Sequence, residues 1–480
     1  MAPFQTLPGV RQAKMPISCA KYCRQRAAPP PLPPVSVLSP TTVVRRERAI
    51  RITVAASVGA KVFSMICTFA QVPLALHYLG SEAYGFWITL FSVVLVLNSV
   101  DFGLGVGMQH AMAKAFGSDD MDSVKKTFWT GAFALLVLGL AVLLTGLGLA
   151  HARPWEDTLL LRDPGLRRDT ASSLSIAVGA FALGLPFSAV GRLAAALQRG
   201  WINAGWIAAG SALSLGLVFA AARGRWGFLG FLATSLSVPT LQGLGLFIHL
   251  LRSLGWSLLP GRLAPASEVR EMLRSSLCYA FPQFGMALLQ SAPAIAISVA
   301  AGSSAVTGYN LLLRLFSPFQ QGQVILLTPV WPAYTEAHQR ADHSWNRRTL
   351  IRTLGVWAVL AAGTALVAWQ CRLLLSVWVG SADAVTAGLA AIVALWTILQ
   401  MAAQPFLYYL MGIGRLRQLA WAATPGFLFA SAALFIGSGH GSAVGVLAAG
   451  SIALCALLLP PVAWQTLKAL RQNPAEGATG

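Results

Sequence analysis

Acidic residues are scarce in this chain: 16 Asp and Glu among 480 residues, against 35 Lys and Arg, for a formal net charge of +19. Charged residues of both signs reach only 11%, far below the roughly 25% of an ordinary soluble domain, and this excludes a globule solvated by water. Cysteine is sparse too. Cys19 and Cys23 have no second ligand pair, and Cys67, Cys278, Cys371 and Cys455 fall in or beside apolar runs, so neither a disulfide framework nor a cysteine metal site is expected. Missing as well are a glycine-rich nucleotide loop, a metal-ligand cluster and a nucleophile paired with a base. No cofactor and no metal are therefore expected.

What is abundant is hydrocarbon. Hydrophobic residues make up 56% of the chain and the mean hydropathy is +0.65. A spanning helix needs about 20 mostly apolar residues, because a bilayer offers no water to its backbone groups. Such segments fall near 52–77, 85–107, 127–149, 171–190, 201–222, 226–251, 275–300, 305–335, 349–370, 384–411, 418–437 and 441–466. The fold class expected is an all-α polytopic membrane protein with about twelve transmembrane helices. Pro186, Pro239, Pro282, Pro293, Pro318 and Pro329 fall inside or at the ends of these segments and are expected to kink them.

Basic residues alternate between connections. Twenty-one Lys and Arg fall on one side, in groups such as Lys114, Lys125, Lys126 and Arg340, Arg347, Arg348, Arg352, and seven on the other. Because Lys and Arg in short loops stay cytoplasmic, both termini are expected in the cytoplasm and the chain in the cytoplasmic (inner) membrane. The positive charge is thus a topology signal, and no nucleic acid is expected as a partner. Residues 1–49, with "PPPLPP" at 29–34, form a basic, proline-rich cytoplasmic stretch expected to be disordered. It has no signal-peptide apolar region, so the first span serves as the insertion signal; a misassigned start codon accounts for the stretch equally well.

The chain also repeats itself. "LGSEAYGFW" at 79–87 has a counterpart in "AGSSAVTGYN" at 301–310; matching Gly85-Phe86 with Gly308-Tyr309 gives an offset of 223, which pairs Asp119 with Asp342 and Lys125 with Arg348. Each copy is followed by a long apolar helix and a basic loop. Two six-helix bundles follow, 50–255 and 256–480, related by an axis along the membrane normal and enclosing a central cavity.

The residues 72–117, and within them Leu79-Gly80, Tyr84-Gly85 and Asp101-Phe102-Gly103-Leu104, resemble the opening of bacterial polysaccharide transporters. These are the O-antigen-type flippases of the multidrug/oligosaccharidyl-lipid/polysaccharide (MOP) superfamily. The resemblance implies a flippase, not an enzyme. Its substrate would be a polyprenyl-diphosphate-linked oligosaccharide bound for cell-surface polysaccharide such as lipopolysaccharide or exopolysaccharide, with membrane lipids and polysaccharide polymerases as further partners.

A diphosphate head needs cationic groups inside the membrane, and the arginine fork suits phosphate oxygens. Few charges lie deep in the spans: Lys61, Asp101 and Arg314. Arg314, roughly 15 Å in from the start of its span, is the leading substrate contact. Asn310, one turn before it, joins Lys61, Gln283 and Gln290 as candidates to hold phosphate or sugar hydroxyls, with Gln320, Gln321 and Gln323 further along. Each of the amides has an alternative use in joining helices. Asp101 is open to three readings: an ion-pair partner of Lys61, a capping residue where "DFGLG" loosens the helix, or a site for a coupling proton or sodium ion. Two other functions stay in view. A polytopic polymerase, ligase or acyltransferase would display catalytic residues on a large outer loop, whereas the longest one here, 151–169, is short and of mixed charge. An exporter of small cations would favour buried acids, and this chain offers one acid against two bases.

Overall fold

The computed structural model describes residues 40–97, 104–257, 263, 266–340 and 342–471. Of the first unit, which ends at Arg51, the described part is the beginning of helix α1 at Pro40, twelve residues before the first span read from the sequence. The rest of the description concerns Ile52–Gly480.

Among the described residues the secondary structure is helical, without a strand. The first half holds α1 (Pro40–Leu97), α2 (Leu104–Gly117), α3 (Met121–Ala152), the short α4 (Trp155–Thr158), α5 (Pro164–Ala196), α6 (Gly200–Gly224) and α7 (Gly227–Ser253). The second holds α8 (Ala266–Ala301), α9 (Ser303–Leu327), α10 (Val330–Gln339), α11 (His343–Trp369), α12 (Cys371–Val379), α13 (Ala387–Gly412), α14 (Leu416–Gly437), α15 (Ala443–Ala453) and α16 (Leu459–Arg471), the last two joined by a π-helical turn.

Ten described helices are long and apolar enough to cross a bilayer, against the twelve spans read from the sequence. The difference has two sources. Ala55–Leu97 counts once, although Gly80 breaks it, and α9 carries Asn310, Arg314 and three glutamines, which lower its hydropathy. The second crossing also begins earlier than expected, directly after Gly80, and resumes in α2.

The repeat seen in the sequence is a repeat of backbone. Gly80 has φ 78 and ψ 169, and Gly302 has φ 82 and ψ 167. Only glycine populates that region readily, and in each half it ends one helix and starts the next. Forty residues after each glycine the pattern recurs at the other end of the bundle. Asp120 Oδ1 accepts from the Ser123 amide and Asp342 Oδ1 from the Trp345 amide, both at 2.9 Å. Before those caps, Asp120 N donates to Ala115 O at 3.0 Å and Asp342 N to Ala337 O at 2.9 Å. Both pairs lie 222 residues apart, which corrects the sequence offset by one: Asp120, not Asp119, matches Asp342, and Lys126, not Lys125, matches Arg348. The slip arose from pairing glycine-aromatic steps by residue type, whereas the backbone is in register through its kink and its cap.

Later elements keep the correspondence with a changing offset, one residue longer at the next caps and six shorter beyond them. Asp163 caps α5 through the Leu166 amide, and Thr386 caps α13 through the Leu389 amide. Left-handed residues end the helices that follow, Gln198 and Arg225 in the first half and Gly414 and Gly441 in the second. Packing follows the halves. Leu104, Met108, Phe128, Phe181, Leu193 and Leu250 belong to one apolar cluster, and a larger one joins Phe316, Trp396, Leu434 and Leu454. The second cluster extends across to Tyr84 and Ile88, so the halves share a core near Gly80 and Gly302. This is the two-bundle, all-α membrane fold expected. Thr386→Ala should lower the unfolding free energy by about 1 kcal/mol while Thr386→Ser keeps most of it, measured from thermal unfolding of the purified protein.

Candidate functional site

The two glycine kinks bring equivalent turns together. Ser81 and Ser303 each follow a kink, and Gly85 and Thr307 occupy matching places one turn on. The Thr307 hydroxyl donates to the Ser81 carbonyl at 2.6 Å. In the symmetric position Gly85 meets the Ser303 carbonyl so closely that a Cβ there would overlap it. The contact is therefore two-fold in kind, with a hydroxyl on one side and a bare backbone on the other. Beneath it, Tyr84 Oη donates to Asn310 Oδ1 at 2.9 Å, both residues buried. A further tie runs from Trp378 Nε1 to the Phe69 carbonyl at 3.1 Å, with the two rings 5.0 Å apart. This end of the assembly is sealed by backbone as much as by side chains.

Helical spacing then decides what lies below the seal. Ser303, Thr307, Asn310 and Arg314 follow one another at three or four residues along α9, and Gln321 comes two turns after Arg314, so they share a face. Thr307 and Asn310 use that face to hold the first half. Arg314 continues it one turn further, roughly 18 Å from Gly302, close enough to Tyr84 to act on its hydroxyl electrostatically. Arg314 is partly buried, and its Nε is fully buried without a hydrogen-bond partner. A guanidinium so placed has donor capacity left over, which costs free energy until a ligand or water takes it up.

The other described candidates are not gathered around it in one cluster. Asn310 joins the seal through Tyr84, so its carbonyl oxygen is already committed. Gln290 on α8 is exposed. Gln283 belongs to α8, but its side chain lies outside the described residues, as does Asp101 altogether, so the Lys61–Asp101 pair falls there too. Lys61 on α1 is exposed, while its polar neighbours Ser64 and Gln71 turn away to Ser211 and Ser214 of α6. Gln323 is not a cavity residue: it is buried in the second half and donates to the Met401 carbonyl at 3.0 Å. Tyr84, Ser81 and Thr307 went unnoticed as site residues. The signal was present, since a motif repeated about an axis is the part of each half that meets the other.

No protein-family model matches the chain, and no curated protein matches it. Solved structures do. An inward-facing multidrug resistance transporter of the MATE family, in the MOP superfamily, superposes with a TM-score of 0.67 at 13% identity, over 86% of this chain and 98% of that one. An outward-facing MATE multidrug resistance transporter gives 0.59 at 15%, over 88% and 97%. A MOP superfamily transporter from Pyrococcus furiosus, described as having a binding pocket of reversed polarity, gives 0.59 at 15% over the same shares. At such identities the likeness fixes the fold: the chain has the twelve-helix, two-bundle architecture of MOP superfamily transporters.

The seal can be tested directly. With native cysteines replaced, Ser81→Cys combined with Thr307→Cys should crosslink readily, and adding Gly85→Val should cut the yield severalfold, because the branched side chain meets the Ser303 carbonyl. Equal yields with and without the valine would contradict the close backbone approach.

Proposed function

We propose that the chain is a flippase of the cytoplasmic membrane that carries a polyprenyl-diphosphate-linked oligosaccharide from the inner to the outer leaflet. The observation that supports this most is Arg314, a partly buried cation whose buried Nε has no partner, on the face of α9 turned toward the first half, directly below the sealed end. A diphosphate is the natural complement of such a group, since two phosphate oxygens accept from one guanidinium fork. Lys61, Gln290 and Gln283 are the further contacts proposed for head group and sugar, and Asp101 remains the candidate for ion coupling or for pairing with Lys61.

The basic connections supply the direction. The turns from α2 into α3 and from α10 into α11 hold the Asp120 and Asp342 caps and the Lys and Arg groups between 114–126 and 340–352; on the positive-inside bias this end is the cytoplasmic one and the sealed end faces outward. In this reading the head group loads from the cytoplasm while its lipid tail stays in the bilayer. Breaking the Ser81–Thr307 and Tyr84–Asn310 contacts would open the outer end. An inside-negative potential would favour outward passage of an anionic head by at most about 2.3 kcal/mol per net charge per 100 mV.

A second reading, export of small amphipathic molecules, draws support from the MATE drug transporters that share the fold. It calls for acidic groups to hold cationic drugs, and the residue found at the seal is an arginine. Envelope polymerases and acyltransferases are the third class, and the fold offers them no support. Arg314→Ala should slow flipping of a fluorescent diphosphate-linked glycan in proteoliposomes about ten- to a hundredfold, the worth of one lost charge-assisted contact. Arg314→Lys should fall between, keeping the charge without the fork. Wild-type rates in the alanine variant, at equal amounts of inserted protein, would remove Arg314 from the site.

A further inference from the structure

The two halves build the same cytoplasmic-end turn and fill it with different chemistry. Under the register set by the Asp120 and Asp342 caps, Met112, Phe116, Met121 and Val124 occupy the places of Tyr334, His338, His343 and Asn346. Burial agrees at each position. Met112, Val124, Tyr334 and Asn346 are all 0% exposed, and Phe116, Met121, His338 and His343 are all partly buried. At the end of α5 and α13, where Leu197 N bonds to Leu193 O and Ile413 N to Tyr409 O, Leu193 corresponds to Tyr409, again both buried. One backbone layer is thus apolar in the first half and polar in the second. The fold itself does not require the polar set, and burying it is costly.

The polar atoms of this layer are conspicuously idle. Neither the amide oxygen nor the amide nitrogen of Asn346 has a hydrogen-bond partner, and the same holds for the buried Nδ1 of His338 and Nε2 of His343. The two imidazoles stand edge to face with centroids 6.2 Å apart. A neutral imidazole has one ring nitrogen free to accept a proton.

We propose that His338, His343 and Asn346 form a proton-binding site in the second half, and that occupying it loosens the packing of α10 against α11. The inference holds whatever solute the chain carries.

Its surroundings determine the sign. His343 and Arg415 are the charged or titratable groups acting on His338, and burial, followed by these two neighbours, holds the His338 imidazole below its ordinary value. Of the nearby carboxylates, Glu336 pairs with Arg340 at 2.7 Å, and Asp342 accepts from Ser344 and the Trp345 amide while its charge also acts on His343. On α11, Arg348 turns to Ser344, and Arg347 and Arg352 are exposed. Of the other packed elements, α9 brings Arg314, α12 brings Arg372, α13 has no Asp, Glu, Lys or Arg, and on α16 Lys468 lies over the Trp464 ring. A proton entering at His338 therefore meets positive neighbours, His343 and Arg415, while Asp342 lies on the far side, acting on His343. Because the folded-state value of His338 is depressed, its contribution to stability is complete above roughly pH 6.5, the value of an unperturbed imidazole, and drains away as pH falls below it.

The test is thermal unfolding of the full chain in detergent between pH 8 and pH 5.5. The wild-type midpoint should fall as pH drops below about 6.5. His338→Phe with His343→Met installs the first half's own residues, and should be at least as stable at pH 8 while losing most of that fall. Arg415→Gln should raise the pH at which His338 titrates in the folded protein, read by NMR of histidine-labelled protein. Should the double variant fail to fold, His338→Gln and His343→Gln keep hydrogen bonding without titrating, and must show the same loss. An unchanged fall in these variants, or a folded double variant much weakened at pH 8, would overturn the proposal.

Discussion

The assembly depends on a close meeting of two equivalent turns. Each half breaks a helix at a glycine, Gly80 or Gly302, in a conformation closed to other residues, and the turns that follow touch through Ser81 with Thr307 and Ser303 with Gly85. A side chain at Gly85 would hold the halves apart, and a hydroxyl missing at Thr307 would leave a carbonyl without its partner. The contact is small and polar, and it stands next to the buried pair Tyr84–Asn310. Small polar seals can be opened: water replaces each hydrogen bond lost, so the net change per bond is only about 1 kcal/mol. A large apolar interface would not release so readily. The same geometry that closes one end is therefore suited to letting it open.

Below the seal the chemistry is set by what α9 can tolerate. Its polar stripe, Thr307 to Gln321, lowers its hydropathy enough that it does not stand out as a membrane helix. Such a helix is stable in a bilayer only because its polar face is turned to protein or to a wet space. Thr307 and Asn310 satisfy that condition with bonds to the first half, and Arg314 meets it only in part. The incomplete satisfaction of one deep cation, in a protein with few acids to pair it, gives the proposed anionic substrate its physical basis.

Much of the architecture was legible in the sequence, for particular reasons. Apolar runs and basic connections gave the spans, since bilayer thickness and the positive-inside bias act on every residue of a loop or helix. The repeat was visible in "LGSEAYG" and "AGSSAVTG" because both halves need glycine and small hydroxyls at the same contact. Its register was not, since a one-residue slip alters no composition and only the kinks and caps reveal it. Arg314 stood out because a deep arginine is rare. The partner of Asn310 was hidden, for Tyr84 is 226 residues away, and the turn of Gln323 toward Met401 depends on rotation about a helix that its polar content alone cannot specify. The histidine layer escaped notice because its oddity appears only beside Phe116, Met121 and Val124 in the matching turn.

The central claim is that this two-bundle protein moves an anionic lipid-linked head group across the membrane. It is tested most directly by placing the wild-type protein in vesicles that hold both a fluorescent polyprenyl-diphosphate glycan and a fluorescent lipophilic cation, and following the two together. The account predicts that the glycan reaches the opposite leaflet at a rate dependent on protein while the cation does not move. Protein-dependent transport of the cation, with the glycan left in its original leaflet, would contradict it.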